Sequence, residues 1–127
     1  MSKGIPRKTV AAVLARDRGL CVLRISRYCT GQASCADHRA NRGSGGAKSG
    51  VLDQASNLVA ACGYCNGYKE AGGDRGDLVA RGLRVEGAST HAKTADRARA
   101  TPVLYPDGRW WLLDDDGGKE ERRDPDR

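Results

Sequence analysis

The fold is decided by the run Cys62-Gly63-Tyr64-Cys65-Asn66-Gly67-Tyr68-Lys69, together with Asn57 and the pair Asp37-His38 upstream of it. A carboxylate beside a histidine can hold a hard cation and supply a general base. A Cys-x-x-Cys pair can anchor a structural zinc ion. Asn66 directly follows that pair, so its amide oxygen can complete the hard-cation site. The sequence therefore predicts a small domain organised around bound metal.

The composition is that of one small domain with a thin apolar core. The chain has 127 residues, no Phe and 17 Gly, and domains with so little core usually need a staple such as a metal or a disulfide. No apolar run reaches the ~20 residues that span a bilayer, and the first residues lack the apolar stretch of a signal peptide. We therefore expect a cytoplasmic protein without membrane contact, where clustered cysteines favour metal over disulfide bonds.

The positive charge indicates a polyanionic partner. The net charge is +6, and it is concentrated in residues 1–100, whereas residues 101–127 are mildly acidic. A basic body of this kind suits DNA or RNA, although basicity alone is a weak signal. Four cations near the motifs are candidate nucleic-acid-binding residues, each equally plausible as a solvated charge: Arg39, Arg42, Lys48 and Lys69.

The residue pattern predicts short helices and strands around the motifs. Apolar residues at helical spacing predict helices, and short runs rich in β-branched and aliphatic residues predict strands. In chain order, the predicted elements are a helix at 6–18, strands at 20–25 and 34–39, an extended piece at 58–61 and a helix at 65–71.

The second half of the chain is predicted to be less regular. Residues 78–85 fit either a short helix or an extended piece, and the polar residues 87–100 are predicted to form a loop. Residues 102–114 are predicted to form a hairpin, and residues 114–127 to fray. The predicted organisation is an N-terminal helix (1–19), a metal-binding core (20–72), a linker with a short helix (73–100), a C-terminal hairpin (101–118) and a charged tail (119–127).

Four of the five cysteines are predicted to bind a structural zinc ion. Cys62 and Cys65 have the commonest ligand spacing, and the other two ligands come from Cys21, Cys29 and Cys35. We choose Cys21 and Cys29, because Cys35 lies two residues before Asp37. Residues two apart in a strand point to the same face, so Cys35 would share a face with the Asp37 carboxylate. Four thiolates leave no open position on zinc, so this site would support folding and not catalysis.

A second, open site is predicted for a hard cation. Asp37 and Asn66 offer oxygen ligands, and two protein ligands leave several positions free on an octahedral ion, as is usual for Mg²⁺ that also binds phosphate. His38 can remove a proton from water. Asp37 and His38 point to opposite sides of a regular strand, so the chain must twist at the strand end to bring both to one site.

Residues 20–71 resemble the HNH endonuclease family. The resemblance is carried by Asp37-His38, by Asn57 before Leu58, and by Asn66 after the Cys-x-x-Cys pair. It implies an α+β fold with a zinc-stabilised ββα-metal finger, an N-terminal helix and a C-terminal β-hairpin. It also implies that Asp37 and Asn66 bind the catalytic metal, that His38 is the general base, and that Asn57 pins the loop that orients His38.

This chain departs from the common family pattern because no histidine is among the expected metal ligands. Oxygen ligands alone shift the expected preference toward Mg²⁺ or Mn²⁺. The C-terminal stretch is similar to small HNH proteins of phages and prophages, which implies a role beside the packaging terminase or portal. The expected activity is one-metal hydrolysis of DNA phosphodiesters, leaving 5′-phosphate and 3′-hydroxyl ends. The alternative is a zinc-stabilised nucleic-acid-binding module without catalysis, which would need the cysteines but not Asp37, His38 or Asn66.

Overall fold

The computed structural model describes residues 4–41 and 50–123. These residues form a small α+β structure with two antiparallel sheets. Within them, two 3-10 turns at Val51–Asp53 and Ala55–Asn57 precede the second strand. The helices and strands are α1 (Arg7–Arg16), β1 (Cys35–His38), β2 (Leu58–Ala61), α2 (Gly63–Glu70), α3 (Arg75–Ala80), α4 (His91–Ala100), β3 (Val103–Leu104), β4 (Trp110–Leu113) and β5 (Lys119–Glu121).

The centre of the structure is a consecutive β1–β2–α2 unit. The two strands pair antiparallel, with Cys35 opposite Ala61 and His38 opposite Leu58. Every residue of β2 is buried. Helix α2 begins immediately after β2, and the thiol of Cys62 caps it by accepting a hydrogen bond from the backbone N–H of Cys65 at 3.4 Å. The predicted strand at 34–39 and the extended piece at 58–61 are thus confirmed, and the helix predicted at 65–71 is present but begins earlier, at Gly63.

A buried ion pair attaches α1 to this unit. The guanidinium of Arg16 donates to the carbonyl oxygens of Ala55 (3.0 Å) and Leu58 (2.6 Å) and to the carboxylate of Asp17. That carboxylate also accepts from the Ala60 N–H (2.9 Å) and from the Tyr105 hydroxyl (2.6 Å). Polar contacts therefore join the first helix, the central unit and the C-terminal sheet where the apolar core is thin.

Arg39, the residue after β1, is a second buried cation that joins distant segments of the chain. Its side chain is fully buried (0 % exposed). The guanidinium donates to the carbonyl oxygens of Gly82 (2.8 Å), Ser56 (2.8 Å), Ala98 (2.9 Å) and Thr101 (2.6 Å). Because these bonds use its donors inside the protein, the prediction that Arg39 contacts nucleic acid is wrong.

The predicted strand at 20–25 is also wrong. Its one ladder contact is an isolated bridge between Leu20 and Gln32. Arg24 has a left-handed backbone (φ 46°), and its N–H turns back to the sulfur of Cys21 at 3.5 Å. An extended chain rises about 3.3 Å per residue, so a strand would carry that N–H away from the sulfur. Most aliphatic residues of this segment lie in or against the core, and its backbone turns around the sulfur of Cys21.

Two C-terminal segments are more regular than predicted. The residues predicted as a polar loop contain α4, which Thr90 caps through the Lys93 N–H, and which buries Ala95 and Ala98. The residues predicted to fray contain β5, which pairs with β4 and so extends the hairpin to three strands. Within the described part of the chain, no helix is both long and apolar enough to cross a membrane.

Candidate metal centres and active site

Four cysteine sulfurs come together at one end of the β1–β2–α2 unit. The sulfur atoms of Cys21, Cys29, Cys62 and Cys65 all lie within 4.8 Å of one another, and those of Cys29 and Cys62 are 3.9 Å apart. Tetrahedral zinc with bonds of about 2.3 Å places its sulfurs about 3.8 Å apart. The cluster is therefore close enough to hold a metal such as zinc, with the ligand set that the sequence predicted.

Backbone N–H groups surround this cysteine cluster and favour negative charge on its sulfurs. Such donors stabilise thiolates. None of the described Lys or Arg side chains donates to a sulfur, so the donors to the sulfurs in this part of the chain are uncharged. The donors are Arg24 N–H to Cys21 (3.5 Å), Gly31 N–H to Cys29 (3.3 Å), Cys65 N–H to Cys62 (3.4 Å), and Ile25 and Ser26 N–H to Cys65 (3.3 and 3.4 Å).

The thiols of the Cys-x-x-Cys pair differ in acidity. Burial acts against ionisation of Cys62, but hydrogen bonds from the backbone of Cys65 and Thr30 lower its pKa to about 6. Burial raises the pKa of Cys65 to about 12. Without metal, the cluster would hold its protons unevenly, and a cation that binds all four sulfurs must displace those that remain.

The fifth cysteine, Cys35, lies outside the cysteine cluster. Its thiol donates to the carbonyl oxygen of Ala61 at 3.3 Å. Burial raises the pKa of this partly buried thiol, which favours its protonated form. The choice of Cys35 as the spare cysteine is confirmed.

Asp37 and Asn66 also meet, as the predicted hard-metal site requires. The Asn66 side-chain amide donates to one carboxylate oxygen of Asp37 at 2.9 Å. The other oxygen accepts from the ammonium group of Lys69 at 2.6 Å. Lys69 also donates to the carbonyl oxygens of His38 (2.7 Å) and Leu83 (2.9 Å). Because Lys69 is only 5 % exposed, the prediction that it contacts nucleic acid is wrong.

The ion pair of Asp37 and Lys69 makes this site electrically neutral. Burial raises the pKa of the Asp37 carboxyl, although the Lys69 charge favours its ionised form. Burial lowers the pKa of Lys69, against the opposite influence of Asp37. Each partner therefore depends on the other to remain charged, and removal of either leaves a costly buried group.

The oxygen donors present fit a small hard cation. Rotation of the Asn66 side-chain amide by 180° exchanges the positions of its oxygen and nitrogen atoms. A flip of that amide would place its oxygen beside the Asp37 oxygen, at the 2.9 Å that now separates the two atoms. Neighbouring ligands on octahedral Mg²⁺, with bonds of 2.0–2.1 Å, are about 3 Å apart. Asp37 and Asn66 can thus supply two neighbouring ligands of such an ion, while Lys69 remains hydrogen-bonded to the second carboxylate oxygen of Asp37.

His38 is paired with a carboxylate that the sequence analysis missed. Its Nε2 atom lies 2.7 Å from a carboxylate oxygen of Asp53. Both side chains are largely buried. The available signal was that Asp53 is the only acidic residue between Asp37 and Glu70. A carboxylate that accepts from Nε2–H leaves Nδ1 with its lone pair, which is the tautomer that a general base needs.

Asn57 joins the chain after His38 to the turn that carries Asp53. Its side-chain oxygen accepts from the Ala40 N–H at 2.9 Å. Its amide nitrogen donates to the carbonyl oxygens of Ala40 (3.0 Å) and Leu52 (2.9 Å). These contacts fix the two segments against each other, and that they orient His38 stays a prediction from the resemblance.

The predicted catalytic residues form two adjacent pairs and not one cluster. Asp37 contacts α2, whereas His38, the next residue of a regular strand, contacts the 3-10 turn that ends at Asp53. Among the described residues, the cysteine cluster is the one group of three or more Cys, His, Asp or Glu side chains that lie close enough together to bind one metal ion. The remaining candidates, Arg42 and Lys48, lie outside the described residues.

A scan against protein-family models, a search of curated proteins and a search of solved structures each found no match. The roles of Asp37, His38 and Asn66 therefore have to be inferred from their own contacts.

Proposed function

We propose that this chain is a metal-dependent DNA endonuclease of the HNH type. The observation that supports this most is the 2.7 Å contact between His38 Nε2 and Asp53, one residue along β1 from the Asp37–Asn66 pair. A histidine oriented by a carboxylate beside two convergent oxygen ligands is the combination that phosphodiester hydrolysis needs. Its place in a β1–β2–α2 unit with a cysteine cluster agrees with the resemblance.

In the proposed reaction, His38 takes a proton from the attacking water. Asp53 holds the Nε2–H and stabilises the positive charge that the ring acquires. Asn57 fixes the backbone on both sides of this pair. Successive residues of a strand are about 3.3 Å apart along its axis, so a phosphate at the end of β1 would be within reach of both His38 and Asp37.

Asp37 and Asn66 would hold the Mg²⁺ or Mn²⁺ ion. When bound, such an ion neutralises charge on the scissile phosphate and on the leaving 3′ oxygen. The cysteine cluster, with zinc, fixes the start of α2 and therefore the position of Asn66, which follows Cys65 directly. Loss of zinc should consequently disable cleavage even with every proposed catalytic residue intact.

The second candidate function is a zinc-stabilised nucleic-acid-binding module without catalysis. The observation that favours it is the Lys69 ammonium on Asp37. A carboxylate that already has an internal cation is a natural structural element in a protein that needs no second metal. DNA as the partner, the terminase or portal association and the cytoplasmic location are predictions from the sequence under either candidate, whereas the 5′-phosphate products are predicted for the endonuclease alone.

Plasmid nicking separates the two candidates. Zinc-loaded wild type should nick supercoiled DNA with Mg²⁺ or Mn²⁺ and stop when EDTA is added, and His38→Ala should not nick under any of these conditions. Persistent DNA binding without cutting by wild type, with any divalent ion, would favour the binding module. Cutting by His38→Ala at the wild-type rate would rule out His38 as the base.

A further inference from the structure

Arg84 lies beside the candidate active site, in the segment that follows α3. The carbonyl oxygen of the preceding residue, Leu83, accepts a hydrogen bond from the Lys69 ammonium group at 2.9 Å. The residue after it, Val85, donates its N–H to the carbonyl oxygen of Arg39 at 2.9 Å. Arg84 is therefore held between two attachments, one to the cation on Asp37 and one to the residue that follows His38.

The side chain of Arg84 differs from those of its neighbours. Leu83 and Val85 are buried, 0 % and 5 % exposed, whereas Arg84 is half-buried. Its Nε donor is buried and has no hydrogen-bond partner. None of the described carboxylates forms an ion pair with it. Burial is the main reason that the pKa of Lys69 is lowered, and the positive charge of Arg84 lowers it further, as expected of a cation close to the site.

An unpaired guanidinium in this position calls for an anion. A buried donor without a partner costs about 1–3 kcal/mol, and such groups in folded proteins usually have an external partner. With Arg39 and Lys69 bonded internally, the described cations that the sequence suggested for phosphate contact are no longer available. Arginine offers a planar fork of donors that matches two phosphate oxygens.

We infer that Arg84 binds a backbone phosphate of the nucleic acid at the end of β1, next to His38 and Asp37. The inference rests on the proposed function for the identity of the anion, but not for the presence of an anion site. It assigns phosphate contact to a residue that the HNH-like motif residues do not include.

DNA binding without cleavage tests this inference. A short fluorescein-labelled duplex is titrated with the zinc-loaded His38→Ala protein at several salt concentrations, without divalent metal. Adding Arg84→Gln should weaken binding about tenfold and reduce the slope of log K against log salt by about 0.9, the value of one phosphate contact. Arg81→Gln is the matched control, because Arg81 lies three residues away and is already paired with Asp77 at 3.1 Å. The DNA affinity of the Arg81→Gln variant should stay within twofold of that of the parent protein. Its salt slope should equal that of the parent within error.

A second measurement uses the wild-type chain, in case Arg84→Gln does not fold. Bound duplex should protect Arg84, but not Arg81, from modification by phenylglyoxal, as read by peptide mass spectrometry. Unchanged affinity and slope in a folded Arg84→Gln protein, or equal modification of Arg84 with and without DNA, would overturn the inference.

The nuclease proposal can fail separately. A protein that binds DNA through Arg84 but never nicks it refutes the endonuclease and leaves the anion site standing. A protein that nicks normally after Arg84→Gln refutes the anion site and leaves the endonuclease standing.

Discussion

The two candidate metal centres, only a few residues apart in sequence, differ in how their negative charge is balanced. The cysteine cluster collects four sulfurs under backbone N–H groups, and no Lys or Arg side chain among the described residues donates to them. The site of Asp37 and Asn66 contains its own cation, because Lys69 reaches Asp37 from the next turn of α2. The first centre needs an external cation to become neutral. The second is neutral already.

This difference predicts two kinds of metal binding. The cysteine cluster should hold zinc permanently, because four convergent thiols gain a counter-charge only from the ion. The Asp37 site offers one charged oxygen and one amide, beside a competing ammonium group. We therefore expect it to bind Mg²⁺ or Mn²⁺ weakly, and more tightly when a DNA phosphate adds further oxygen ligands.

Removal of zinc should have the largest effect. Structural zinc contributes about 10–16 kcal/mol of apparent binding free energy in small zinc domains, which exceeds the whole stability of most domains of this size. Cys65→Ser, or treatment with a strong chelator, should therefore abolish the cooperative thermal transition seen by circular dichroism. Native mass spectrometry should show one zinc ion on the wild type. A metal-free wild type that remains folded would contradict the assignment.

Removal of the internal cation should have the next largest effect. Lys69→Met leaves the Asp37 carboxylate buried with Asn66 as its one side-chain donor among the described residues, so the free energy of unfolding should fall by about 3–5 kcal/mol at neutral pH. Burial already raises the pKa of Asp37, and loss of Lys69 should raise it further. A raised pKa in the folded state favours the protonated form, so the destabilisation should shrink as the pH falls through that value. Urea unfolding of Lys69→Met at neutral and mildly acidic pH checks this.

The double variant Asp37→Asn/Lys69→Met is the control for this prediction. It removes both charges and should recover part of the lost stability at neutral pH. Equal loss at both pH values in Lys69→Met would show that the Asp37 charge is not the cause.

Replacement of Asp53 should impair catalysis more than stability. Asp53→Asn can donate to Nε2 and favour the tautomer with its proton on Nδ1, so kcat for nicking should fall by about 10²–10⁴-fold. The affinity for DNA should stay unchanged. Asp77→Asn, which alters a partly exposed carboxylate paired with Arg81, is the matched control. A wild-type kcat in Asp53→Asn would remove Asp53 from the mechanism.

The smallest effect is expected at Cys35. Its thiol makes one hydrogen bond to Ala61 and lies outside the cluster. Cys35→Ser should change the free energy of unfolding by about 1 kcal/mol or less and leave one zinc ion bound. Loss of zinc from Cys35→Ser would show that the ligand set is wrong.

The zinc ligands could be predicted because the chemistry of the cluster is local. The strict spacing of Cys62 and Cys65 identifies a ligand pair, and β1 and β2 lie within the extended segments that the sequence predicted at 34–39 and 58–61. The turn around Cys21 was mistaken for a strand because its aliphatic residues are core residues whichever way the backbone runs. Composition does not reveal that an N–H must turn back toward a sulfur.

The charges around the candidate active site could not be predicted in the same way. Lys69 follows Cys65 by four residues, which places it on the inner face of α2, but only tertiary packing shows that it meets Asp37. Arg39 depends on carbonyl groups from residues far along the chain, such as Thr101. Asp53 lies 15 residues after His38 in the sequence, and no regular spacing indicates that the two side chains pair.

The Mg²⁺ dependence of plasmid nicking by zinc-loaded protein tests the separation of the two centres most directly. Protein whose single zinc ion has been verified by native mass spectrometry is transferred to buffer without other metals and then titrated with Mg²⁺. The two-centre account predicts no nicking by the zinc-only protein and saturable nicking as Mg²⁺ is added, with the zinc content unchanged. Full nicking with zinc alone, or none at any concentration of Mg²⁺ or Mn²⁺, would contradict it.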